Sequence, residues 1–80
     1  MNIEDLIFAK ERHMDTLMRT KLVELDISVR TLNRLEDCGI KTIGDLVDAG
    51  AIGVRNIPYI GTVAYLEIEA QMKLIGIELK

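Results

Sequence analysis

The chain's 80 residues make one small domain, whose core hides on the order of 60% of the unfolded surface and leaves no room for a second domain. At 49% hydrophobic and 29% charged it is excluded from the disordered class, and its single cysteine, Cys38, and single histidine, His13, exclude an internal disulfide and the usual zinc ligand set. The net charge of −3, from 13 acids and 10 bases, excludes a general positive field for nucleic acid, so any such contact must be local.

In chain order, residues 3 to 22 read as an amphipathic helix. Ile3, Leu6, Ile7, Met14, Leu17 and Met18 fall on one face, with Glu4, Glu11, Arg12, Asp15 and Arg19 on the other. Lys10 and Lys21 interrupt the seam that a coiled coil would need. Residues 1–21 are therefore expected to form a packing or dimerisation helix, with residues 22–80 as the domain proper. Ser28 is a suitable N-cap for a helix from Val29 to Asp37 that buries Leu32 and Leu35 and ends at Cys38-Gly39. Thr42 caps a second helix in which Ile43, Leu46 and Val47 point inward before Gly50 stops it. "AIGVRNI" reads as another helical turn, Pro58 and Gly61 shape a hairpin, and the last helix runs from about Thr62 to Ile75, closed by Gly76. The expected fold is all-α, a compact bundle of about five short helices without strands.

The last helix is apolar on two sides. Tyr65, Ile68, Met72 and Ile75 make one stripe for the core. Val63, Leu66, Ala70 and Leu74 make a second, nearly opposite, and the N-terminal helix is the expected cover, within one molecule or across a dimer.

Catalytic chemistry is not indicated. Glu67 and Glu69 are two apart, so their carboxylates diverge on a helix instead of pairing as acid and base. Cys38 has no base beside it in sequence and reads as a small buried or half-buried residue. No enzyme activity, metal or cofactor is expected. No apolar run approaches the roughly 20 residues that span a bilayer, and "MNIEDLIFAKERH" carries acids where a signal peptide carries lysines, so the expectation is a cytoplasmic protein without membrane contact.

"SVRTLNRL", the "IGDLV" that follows a glycine-isoleucine turn, and "IPYIG" leading into a helix with "LEIE" together resemble the C-terminal domain of the bacterial RNA polymerase α subunit. The resemblance covers about residues 22 to 79 without gaps. It implies a helical bundle with helix-hairpin-helix geometry that binds the DNA minor groove and contacts transcription factors. The family's principal minor-groove arginine falls on Arg30, its asparagine one turn on falls on Asn33, and its hairpin glycine falls on Gly61. Arg34 adds a phosphate contact, and Thr62 and Glu67 complete the candidate DNA-binding set. The lysine and serine that open the family's last helix correspond here to Val63 and Ala64, and a further lysine-like position is Glu36. The turn thus keeps the shape of a phosphate cradle and lacks its charge.

Counterion release makes each lost cation matter, so the DNA contact implied by the resemblance is weak or partner-assisted. The protein is expected to be a small, free-standing transcription-associated regulator, with A·T-rich DNA and RNA polymerase or transcription factors as partners. The alternative is a protein-interaction module that keeps the fold without DNA. Its interface, or that of a homodimer, would comprise Ile3, Ile7, Met14, Leu17, Val63, Leu66 and Leu74.

Overall fold

In a computed structural model that describes residues 14–80, residues 14–19 are helical (α1). The helix expected through residue 22 stops here, because the next three residues are pinned to a later segment. Ile43 N–H donates to the Thr20 carbonyl at 2.9 Å and Leu22 N–H to the Lys41 carbonyl at 3.0 Å, so the chain passes through an extended Lys21 bridged to Thr42 at the entry to the next-but-one helix. Gly44 permits this approach: a Cβ there would stand 2.9 Å from the Met18 main-chain oxygen. A 3₁₀ turn, Leu22–Glu24, then inserts Leu22 into the core with no exposed surface.

Helix α2, Val29–Asp37, starts as its sequence requires. The Ser28 hydroxyl accepts from the Thr31 N–H at 3.2 Å, and Gly39, just past the end, takes a left-handed φ of 81° that favours glycine. Helix α3, Ile43–Arg55, opens with a reciprocal capping box. Thr42 Oγ1 accepts from Asp45 N–H at 3.1 Å, while Asp45 Oδ2 accepts from the Lys41 and Thr42 N–H groups at 3.1 and 3.2 Å. These donors, the Lys41 N–H first, stabilise the Asp45 carboxylate and hold its pKa below the ordinary aspartate value, although desolvation opposes them.

Gly50 breaks α3 in two with φ 70° and ψ 178°, a conformation close to exclusive to glycine, so the expected stop and the expected further turn after it are both present as halves of one bent helix. The Ala51 N–H freed at this break donates to the Lys80 main-chain oxygen at 3.0 Å. Helix α4, Thr62–Leu74, follows the hairpin and ends before Gly76, whose φ is 79°.

Leu22, Leu35, Ile43, Leu46, Val54, Ile57, Ile60, Tyr65, Ile68 and Met72 form the core, with Leu17, Met18, Leu32 and Ile40 packed half-buried against it. Further expectations are corrected. Cys38 is exposed, because α2 ends beside it at the surface, and Val47 is on the outer side of α3. Among the described residues the fold is all-α, with one isolated bridge between Lys21 and Thr42 and no strand.

Candidate nucleic-acid interface

Arg30, Asn33 and Arg34 occupy positions i, i+3 and i+4 of α2, so they share its outward face. With Val29 and Asp37 they line one shallow groove. A second groove carries Arg30 across to the hairpin and the start of α4, where its lining includes Tyr59, Gly61, Thr62 and Val63. Two segments some thirty residues apart in sequence thus meet in one surface. The first turn of α4 has no side-chain cap at Gly61, so its leading N–H groups are without that partner. Among the described residues the ion pairs are Asp15–Arg19 at 3.9 Å and Glu69–Lys73 at 3.6 Å, and neither uses Arg30 or Arg34.

The hairpin adds an aromatic ring that sequence reasoning did not single out. Tyr59 has φ 69°, a left-handed backbone that a bulky residue rarely adopts, and it is 82% exposed. The Arg34 guanidinium lies 4.5 Å from its ring centroid, a stack worth on the order of 0.5 to 1 kcal/mol at an exposed site. Holding a strained tyrosine in solvent costs free energy, and the Arg34 stack partly offsets that cost and keeps the ring against the α2 face.

Glu67, expected in the DNA-binding set, also has a task within the fold. Its carboxylate accepts the Ser28 N–H and, at 3.3 Å, the Thr31 hydroxyl, while the Ser28 hydroxyl donates to Thr31 Oγ1 at 2.9 Å. A negative group at the N-terminus of α2 is favourable there, and it ties α2 to α4 across the site. Glu67 borders the groove, yet its oxygens are engaged in holding Arg30's helix in place. Spacing in the sequence gives no sign of this network, since its partners lie 36 and 39 residues apart.

The second stripe of α4 is uncovered by the described residues: Val63 is 81%, Leu66 53% and Leu74 78% exposed. Met14 is exposed and Leu17 half-buried against the core, and α1 approaches Gly44 of α3 through Met18. Ile3 and Ile7 lie outside the described residues. An intramolecular cover by residues 14–19 is therefore not what forms.

Fold and surface together define a small all-α module that joins a basic helix face to a hairpin-led helix. Residues 9–74 match the family of the C-terminal domain of the bacterial RNA polymerase alpha subunit, and the protein belongs to that family. The match begins within the N-terminal segment, earlier than the motifs at residue 22 indicate. Similar proteins are DNA-directed RNA polymerase subunits alpha. That of Heliobacterium modesticaldum is 29% identical over 79 residues, 99% of this chain and 25% of its own length. That of Bacteroides fragilis is 32% identical over 65 residues, 81% of this chain and 20% of its own. That of Phocaeicola vulgatus reaches 54% over 35 residues, 44% of this chain and 11% of its own. The protein spans a quarter or less of these relatives. It is a transcription-related module of the alpha C-terminal type, and no helix among the described residues is long and apolar enough to cross a membrane.

Proposed function

We propose that this module contacts A·T-rich DNA in the minor groove through Arg30 and Asn33, with Arg34 toward the backbone and the Gly61-Thr62 turn beside it, as a transcription regulator whose DNA binding is weak alone. The observation that carries this reading is the groove shared by Arg30 and the start of α4. Arg30 is exposed and outside every ion pair among the described residues, so its guanidinium is available to a narrow, negatively charged groove. Weakness follows from Thr62, Val63 and Ala64, which put no cation where α4 meets the phosphates.

Fluorescence anisotropy of a labelled A·T-rich duplex across a salt series tests the reading. Arg30→Ala is expected to abolish binding. Thr62→Lys with Val63→Lys is expected to strengthen it and to steepen log K against log salt by about 1.8, two phosphates at about 0.9 each. Equal binding by wild type and Arg30→Ala would refute the proposal.

A second reading draws on the exposure of Val63, Leu66 and Leu74: a protein-interaction module, docking on polymerase, a transcription factor or a second copy through this stripe. Sedimentation of the intact protein, with and without Leu66→Ser and Leu74→Ser, checks the self-association branch, and a pull-down of polymerase components checks the other. A monomeric wild type that retains no polymerase component would refute this reading.

A further inference from the structure

Both tyrosines of the protein carry an arginine over the ring. Arg34 stacks on Tyr59 on the α2 side of the hairpin, and Arg55 stacks on Tyr65 at 4.5 Å on the other side. Arg55 is the last residue of α3, Tyr65 belongs to the first turns of α4, and both line a groove with Ile60, Gly61 and Thr62. Gly61 and Thr62 also line the groove that holds Arg30, so the two grooves meet at the hairpin with Arg30 on one side and Arg55 on the other.

Resting on the DNA-binding reading above, we infer that Arg55 supplies the phosphate contact on the far side of the hairpin, in place of the cation that residues 62–64 do not carry. Three features support the assignment. Arg55 is exposed, and no carboxylate pairs with it among the described residues: Glu69, the acid in the same groove, is engaged by Lys73 at 3.6 Å. Its guanidinium is held by the Tyr65 face, and Tyr65 is 6% exposed and fixed in the core, so the cation is ordered before a ligand arrives and less side-chain entropy is lost on binding. Stacking also occupies a π-face of the guanidinium and leaves its N–H edges to donate to phosphate oxygens. Arg30 reads the groove while Arg55 grips the backbone beyond it, so the duplex is held across the hairpin from both sides.

The test uses the intact protein, an A·T-rich duplex and a salt series, comparing wild type, Arg55→Ala, Arg55→Lys and Arg30→Ala, with thermal melts to verify folding. One phosphate contact changes the salt slope by about 0.9, which at 0.1 M salt is about eightfold in affinity. Arg55→Ala is expected to show both changes. Arg55→Lys keeps the charge without the planar stack and is expected to retain the slope with a smaller loss of affinity. If Arg55→Ala leaves slope and affinity unchanged while Arg30→Ala abolishes binding, the inference is wrong and the DNA-binding reading stands. If wild type does not bind, or Arg30→Ala binds equally, the reading itself fails and takes the inference with it.

Discussion

Replacing Glu67 by Ala separates positioning from contact at the proposed DNA face. The substitution removes the acceptor of two donors, the Ser28 N–H and the Thr31 hydroxyl, which belongs to a residue only 4% exposed and keeps Ser28 Oγ at 2.9 Å as its one other partner. A hydrogen bond to a charged group contributes about 1.5 to 3 kcal/mol and a stranded buried donor costs about 1 to 3. Ser28 is exposed and can turn to water, so its share is at the low end. Together they come to about 2 to 4 kcal/mol, a large part of the stability of a domain this size, equivalent to about 10 to 25 °C in Tm. Circular-dichroism melts and urea titrations measure it directly. Glu67→Gln, which keeps an acceptor of similar shape, should lose less. The same variants in DNA titrations should bind more weakly with an unchanged salt slope, because no cation has been removed and only the seat of Arg30's helix is loosened. A Glu67→Ala melt within a degree or two of wild type would refute the reasoning, and so would a changed salt slope in the folded protein.

Other perturbations follow from the same geometry. Gly50→Ala forces a Cβ to within 2.5 Å of the Lys80 main-chain oxygen at a φ of 70°, so strain of about 1 to 3 kcal/mol adds to the displacement of residues 77–80; urea melts with m-values check it. Leu35→Ala or Ile68→Ala, each at fully buried positions, should cost about 2 to 5 kcal/mol by calorimetry. Asp45 contributes stability that is present above the unfolded aspartate pKa of about 3.9 and is lost as pH falls through its lower folded value, since the unfolded state takes up the proton first. Melts between pH 5 and about pH 2 should therefore show a decline that Asp45→Asn reduces.

How far the fold was legible from sequence depends on the range of the interactions involved. Ser28, Thr42, Gly39 and Gly76 act within four residues of themselves, and each does in the structure what its type predicts. Leu35, Ile43, Leu46, Ile68 and Met72 are buried as helical spacing requires, and Ile57 and Ile60 are buried from the turn between α3 and α4, where no helical period applies, whereas Leu32 is only half-buried because the rim of so small a core reaches solvent. Leu22 and Val54 carry no periodic signal, since Leu22 lies in a three-residue 3₁₀ turn and Val54 in the short half of α3 after Gly50. The end of α1 was misplaced for a different reason: apolar periodicity continues past residue 19, but the bonds to Lys41 and Ile43 win over one more helical turn. At the candidate site, Arg30 and Asn33 are legible from spacing and family likeness. The two arginine–tyrosine stacks and the Glu67 network are not, because they join residues that only folding brings together.

Val63 marks where the two functional readings meet. It lines the groove that contains Arg30 and also begins the exposed stripe that continues through Leu66, and Leu66 in turn lines the groove of Arg55. The apolar stripe therefore starts between the two arginines assigned to DNA. A lysine at residue 63 would serve phosphate at the expense of an apolar contact, and the valine present does the reverse. A partner seated over Val63 and Leu66 would cover the floor between Arg30 and Arg55, whereas one confined to Leu74, two turns further along α4, would leave that floor open. If DNA and a partner both use the first turns of α4, each must lower the other's affinity by the same factor, because coupling between two ligands on one protein is reciprocal. A partner held at Leu74 alone carries no such penalty and can tether the module near DNA, raising its effective concentration there without any new DNA contact. Weak binding in isolation and useful binding in an assembly are therefore compatible only when the partner leaves Val63 uncovered.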